Sequence, residues 1–166
     1  MAIPAHARGK LRTSIISKPL DKIQVDTVPN PEPMGLSADT RSNYFLIFCD
    51  RCSRLFRICG IQDNSTYACI DGIELIIPNL SIHQRTPQTI CHVHSDAGSE
   101  FQSDTFRKWC NENKIQFTSA ALKHQEQNGL VECHWGTIAK LANTLLLHAR
   151  LNRKFFLFCS KIYTIN

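Results

Sequence analysis

Three acids occupy positions from which regular elements could deliver them to one place. Asp96 lies in His94-Ser-Asp-Ala-Gly-Ser-Glu-Phe101, where an apolar, strand-like run ends. Glu132 closes Gln127-Asn-Gly-Leu-Val-Glu132, with thirty-five residues between it and Asp96, in the first turn of a long helical pattern. Asp26 sits inside the alternating run Lys22-Ile-Gln-Val-Asp-Thr-Val28. Carboxylates supplied in this way suit a hard divalent cation such as Mg²⁺, which prefers oxygen ligands and keeps several waters. A pair of such ions can clamp the attacking and leaving oxygens of a phosphoryl transfer. Each acid also has an ordinary explanation when taken alone. Asp96 could serve a Gly-containing turn, and Glu132 could favour the positive end of a helix dipole.

Other groups compete for attention. Asp50 reads as turn chemistry, Glu126 lies in a polar loop, and Glu100 reads as a surface acid beside Asp104. Cys49-x-x-Cys52 lacks the second pair that a structural zinc site requires. His92, His94 and Asp96 alternate onto one strand face and could bind a transition metal. Histidines packed beside a cleft are the preferred interpretation.

The elements around these residues can be read from periodicity. Asp21 to Val28 alternates as a strand, with Asp26 opposite the Ile23/Val25 face. Tyr44-Phe-Leu-Ile-Phe-Cys49 and Leu55 to Ile61 form a hairpin across Asp50-Arg-Cys-Ser-Arg54, its first strand buried on both faces. Asn64 is expected to cap a helix that Pro78 ends. Thr89 to His94 is a strand, Ser103 caps a second helix to Asn113, and Ile115 to Thr118 is a short strand. After a polar loop over 119–127, Asn128 caps a helix in which Val131, Trp135, Ile138, Ala142, Leu145 and Ala149 recur at helical spacing. Phe155 to Phe158 suits a terminal helix on the core or a subunit contact. An antiparallel trio followed by strand and helix alternation implies an α/β fold, a mixed sheet covered by helices.

Size and charge bound the possibilities without choosing among them. A chain of 166 residues suits one domain. Nineteen Lys and Arg against fourteen Asp and Glu leave a net charge of +5, compatible with a polyanionic partner. Eight scattered cysteines without a secretory leader fit reduced thiols in an intracellular protein. No run approaches the ~20 apolar residues of a membrane span, so no membrane partner is expected. Residues 1–20, with Pro4, Pro19 and four basic side chains, read as an extended arm or linker, and residues 21–166 as the folded core.

With these residues in view, the chain resembles the catalytic core of retroviral-type integrases, most of all those of copia-type LTR retrotransposons. The likeness rests on Asp26 in Ile-Gln-Val-Asp, on Asp96 in His-Ser-Asp-Ala-Gly-Ser-Glu-Phe, and on Glu132 in Asn-Gly-Leu-Val-Glu, matching a D,D(35)E pattern. Asp50-Arg-Cys-Ser-Arg54 after an aromatic strand and Gly9-Lys10 add to it. The resemblance covers about Gly9 to Phe158. It implies a ribonuclease H-like fold, a five-stranded mixed sheet flanked by helices, with the first and fourth strands adjacent. It further implies that Asp26, Asp96 and Glu132 are catalytic and ligate two Mg²⁺ or Mn²⁺ ions, ~3.5 to 4 Å apart. The activity implied is 3′-end processing and strand transfer, an endonuclease-like and polynucleotidyl-transferase chemistry. Its partners would be element ends and target DNA, within a homo-oligomer in the nucleus, reached after a cytoplasmic particle. Lys123, His124, Gln125, Asn128 and Lys140 are candidate DNA contacts.

The sequence departs from that pattern in two places. Ile3 and His6 stand where the last cysteine pair of an upstream zinc module would precede Gly9-Lys10, so 1–20 reads as the remnant after a missing module. Beyond Glu132 the chain runs Cys-His-Trp-Gly136 where relatives commonly place Arg, and Lys140 is the next cation. Fewer phosphate contacts weaken DNA binding. A degenerate, inactive integrase-like domain that binds nucleic acid or itself is therefore the alternative.

Overall fold

In the computed structural model, residues 18–30, 42–81, 90–120, 129–152 and 155–156 are described. The elements run β1 (Lys22–Pro29), β2 (Tyr44–Asp50), β3 (Phe56–Ile61), α1 (Thr66–Ser81), β4 (His92–Ser95), α2 (Ser99–Gln102), α3 (Asp104–Glu112), β5 (Gln116–Ser119) and α4 (Gly129–His148). The sheet order is β3-β2-β1-β4-β5. The first three strands are antiparallel neighbours, whereas β1–β4 and β4–β5 pair in parallel. The expected mixed sheet, with the first and fourth strands adjacent, is what forms.

Strand alternation sorts the core onto two faces. Ile23, Val25, Leu46, Phe48 and Val93 point into one apolar layer, filled by Cys69 and Ile73 of α1 and by Phe106 and Trp109 of α3. Phe45, Ile47, Cys49, Phe56 and Ile58 point into the other, closed by Val131, Ile138, Ala142 and Leu146 of α4 and by Phe156. β2 is buried from Phe45 through Asp50, as its unbroken apolar run suggests. Phe156 stacks on Phe45 and meets Trp135 edge-on, so this aromatic residue after α4 packs on the chain's own core.

Several boundaries differ from the sequence-based expectation. Ser65, not Asn64, caps α1: its hydroxyl accepts the Ala68 N–H at 3.2 Å, and Asp63 in turn accepts the Ser65 N–H at 2.9 Å. Pro78 lies inside α1 rather than ending it. A proline removes one intrahelical hydrogen bond and crowds the preceding turn, but Pro78 is exposed and near the helix end, so the disturbance stays in the last turn. The short helix α2 has no counterpart in the sequence-based reading, because four residues carry no measurable period. Ser103 caps α3 as expected, accepting the Phe106 N–H at 3.1 Å. Asp50 serves its turn, accepting the Ser53 N–H at 2.9 Å. Asn128, the 119–127 loop beyond Ala120, most of the arm, the interior of the proline-rich loop, Thr89, Leu157 and Phe158 lie outside the described residues.

Two helical glycines have opposite surroundings. A Cβ on Gly72 would sit 2.7 Å from Leu46 Cδ2, in the closed layer between α1 and β2, whereas one on Gly136 would meet nothing within 4 Å. Alanine gains about 1 kcal/mol of helix propensity at either site, but forcing a methyl into a filled core costs about 1–3 kcal/mol. Chemical denaturation should therefore show Gly136→Ala more stable than the parent by about 0.5–1 kcal/mol. Gly72→Ala should be no more stable than the parent, and less stable by up to about 2 kcal/mol once propensity and overpacking are combined.

Candidate metal-binding edge of the sheet

Two of the sequence-selected acids, Asp26 and Asp96, lie where the pairing of β1 with β4 ends, and the third, Glu132, is near enough for its charge to act on Asp26. The parallel ladder between these strands runs in register from Lys22↔His92 to Val25↔Ser95. Asp26 and Asp96 are the next residues on the two chains. Alternation places Asp26 on the face covered by α4, with Gln24 and Val28 rather than with Ile23 and Val25. On α4 itself, fully buried Val131 anchors the first turn to β2, and Glu132 follows it into solvent. Asp26 thus stands in the field of both other acids.

That field is legible in its acidity. Burial, then the charge of Asp96, then those of Glu132 and Glu100 push the Asp26 carboxyl up to about 7, while the Thr27 N–H pulls the other way. The Thr27 amide donates to Asp26 Oδ1 at 2.8 Å, and the Gly98 amide donates to Asp96 Oδ1 at 3.0 Å. One oxygen of each aspartate is therefore oriented by backbone. Among the described residues no three His, Cys, Asp or Glu side chains are grouped closely enough to hold a metal ion. The donor chemistry nevertheless fits a hard divalent cation: every candidate ligand is a carboxylate, and the repulsion that raises Asp26 is the charge a dication would neutralise.

The neighbouring histidines belong to the same sheet face but are engaged with each other's partner. His92 Nε2 and His94 Nδ1 both contact Thr118 Oγ1, at 2.6 and 2.9 Å. Burial, reinforced by Lys22 and nearby cationic groups, lowers both, His92 to about 4. They are neutral at pH 7 and pack beside the acids. Lys140 is exposed two turns along α4 from Glu132, whereas Lys123, His124, Gln125 and Asn128 fall outside the described residues.

Glu100 corrects the sequence-based view of it as a surface acid. It is 8% exposed, its carboxylate accepting the Thr27 hydroxyl through Oε1. A Cβ on Gly98 would fall 2.8 Å from Glu100 Oε2, so the glycine leaves the space that this side chain fills. The sequence signals are its place in the Ser-Asp-Ala-Gly-Ser-Glu-Phe run that carries the family resemblance and Phe101, the next residue and fully buried. In a four-residue helix that neighbour cannot reveal which way Glu100 turns.

The raised Asp26 carboxyl has a definite effect on stability in the absence of metal. The folded state holds its proton more tightly than the unfolded chain, so Asp26 costs stability increasingly as pH rises from 3.8 to about 7. The lowered histidines work in the opposite direction as pH rises through about 4 to 6.5, so the measurement must be a difference. Thermal melts of Asp26→Asn against the parent should coincide near pH 4 and diverge towards pH 8, the variant melting higher. Saturating Mg²⁺ should narrow the gap at pH 8. Parallel melting curves across this range would refute the charge crowding at Asp26.

The comparisons with known proteins agree with this architecture. A family model described as integrase core domain matches residues 16–122, more than half of the chain and inclusive of Asp26 and Asp96. The catalytic core domain of HTLV-2 integrase in complex with magnesium, in its trimeric form, superposes with a TM-score of 0.62 at 20% identity, over 89% of this chain and 86% of that one. Its dimeric form gives 0.60 at 20% identity, over 89% and 87%. A simian T-cell lymphotropic virus intasome in complex with PP2A regulatory subunit B56 gamma gives 0.67 at 19% identity, the match spanning 89% of this chain but 49% of that one. The five-stranded mixed sheet and its flanking helices are those of integrase catalytic cores, which have the ribonuclease H-like fold. The chain belongs to the integrase core domain family.

Proposed function

We propose that this chain is the catalytic core of a retrotransposon integrase that trims the 3′ ends of its element's DNA and joins them to target DNA. Asp26, Asp96 and Glu132 would hold two Mg²⁺ or Mn²⁺ ions. The observation that carries this reading is the crowding of negative charge on Asp26 from Asp96 and Glu132, at one edge of an integrase-type sheet. When bound, the ions supply a polarised oxygen nucleophile and stabilise the departing 3′ oxygen.

The protein's own contribution is orientation. The Thr27 and Gly98 amides each engage one oxygen of an aspartate, and Val131 fixes the helical turn that carries Glu132. Water as the nucleophile trims an end, and a DNA 3′ hydroxyl joins it to the target. Neither step needs a covalent enzyme intermediate, so no nucleophilic side chain is required.

The copia-type assignment rests on Asp50-Arg-Cys-Ser-Arg54 following β2 and on the D,D(35)E spacing. Residues 21–166 would form the core and 1–20 an arm. Lys123, His124, Gln125, Asn128 and Lys140 would contact DNA, and the work would take place in the nucleus, where target DNA lies. Self-association is supported by the dimeric and trimeric forms and by the intasome among the structural neighbours. Cys133, exposed on α4 immediately after Glu132 where a basic residue would meet phosphate, favours the second reading of a domain that folds and binds DNA or itself without catalysis.

One assay separates the two. The purified chain, given a DNA-end substrate and Mn²⁺ or Mg²⁺, should nick or join it. Glu132→Gln should reduce the rate by at least about 100-fold, since loss of even an outer partner of a metal ligand costs about 10–100-fold. Equal activity in the two proteins would remove Glu132 from the site. Mn²⁺ binding that Asp96→Asn abolishes, without turnover, would select the inactive domain.

A further inference from the structure

We propose that Glu100 is a positioning residue: its buried carboxylate clips the residue after Asp26 to the turn after Asp96 and so holds the two metal-binding aspartates in register. This rests on the reading of Asp26 and Asp96 as ligands.

The backbone ladder does not reach the acids. The β1–β4 pairing ends at Val25↔Ser95, one residue short of both. β1 continues beside β2 as far as Pro29, so Asp26 remains in a strand, opposite Ile47. Asp96 has left β4 and enters the turn towards α2. Something other than the sheet must set its distance from Asp26.

Glu100 occupies that gap. Thr27, alternating with Asp26, lies on the opposite face of β1 and donates its hydroxyl to Glu100 Oε1. The same carboxylate is packed over Gly98, where a Cβ would come within 2.8–2.9 Å of its atoms. Thr27 also donates its amide to Asp26, and Gly98 donates its amide to Asp96. A continuous series of contacts therefore joins one aspartate to the other behind the sheet edge.

The main chain of Glu100 is itself held from two sides. Its carbonyl accepts the Thr66 hydroxyl at the start of α1, at 2.9 Å, and the Ser103 hydroxyl that caps α3, at 3.3 Å. The clip is thus attached to two helices rather than hanging from a loop. A carboxylate buried to this extent is costly unless hydrogen-bonded, and Glu100 offsets that cost through Thr27, whose own amide holds Asp26.

Calorimetric titration of the chain with Mn²⁺ tests the role. Thr27→Val and Glu100→Ala should each weaken Mn²⁺ binding by about 10–100-fold, the range seen when outer partners of metal ligands are removed. The double variant should bind no worse than the weaker single variant, because both break one contact. Glu100→Gln, which keeps an acceptor oxygen for Thr27, should recover most of the affinity. Leu146→Ala serves as the control, lowering stability by emptying core space at the far end of α4, fourteen residues beyond Glu132, while leaving Mn²⁺ affinity unchanged. Parent-like affinity in Thr27→Val and Glu100→Ala would overturn the clip and leave the metal site standing. Were the parent to show no Mn²⁺ binding that Asp96→Asn abolishes, the ligand assignment would fail and the clip with it. If Glu100→Ala does not fold, near-isosteric Thr27→Val still decides.

Discussion

The structure depends on the parallel, in-register pairing of β1 with β4. Two strands that start together and run the same way finish together, so the residue after the last pair on each is brought to one edge without any loop having to aim it. Both of those residues are aspartates. The fold thereby sets two like charges side by side in a half-buried place, an arrangement that opposes folding unless something positive arrives. The raised pKa of Asp26 is the thermodynamic trace of that opposition. Every other feature of the edge, from the backbone amides on Asp26 and Asp96 to the buried Val131 beneath Glu132, can be understood as holding the carboxylates where they repel.

Much of this is readable in the chain because two periodicities are strong. The alternation of Ile23 and Val25 against Gln24 and Asp26 sets the orientation of Asp26 before any partner strand is known, and the two core layers follow the same parity. The helical recurrence of Val131, Ile138 and Ala142 likewise identifies the buried stripe of α4. Boundaries are less legible for local reasons. Asn64 and Ser65 are both competent caps, and only backbone geometry chooses Ser65. Proline is a helix breaker by rule, yet near the end of α1 and on its exposed side the rule has little force.

Glu100 is illegible for a deeper reason. Nothing near it in sequence distinguishes a buried acid from an exposed one, because the group that makes burial tolerable is Thr27, seventy-three residues away. The glycine that makes room, Gly98, could equally be a turn residue, and its backbone is in an ordinary extended conformation. The same limitation applies to His92 and His94: alternation places them on one face, but only the shared Thr118 hydroxyl explains why they sit there neutral. Polar contacts between distant segments leave no period in either segment. Apolar faces do, and that difference separates what can be read from what cannot.

The unequal lengths of β1 and β4 divide the responsibility for the two aspartates. Asp26 is embedded in a strand paired on past it to Pro29, so the forces that keep it in place are those that keep the sheet together. Asp96 stands beyond its strand, in a turn where the Gly98 amide engages one of its oxygens. A copy of this gene released from selection for chemistry, but still selected to fold, would hold the first aspartate's backbone fixed while the second drifted. Erosion of such a domain would begin on the α2 side of the edge, at Gly98, Glu100 and Asp96, and reach the strand that bears Asp26 last.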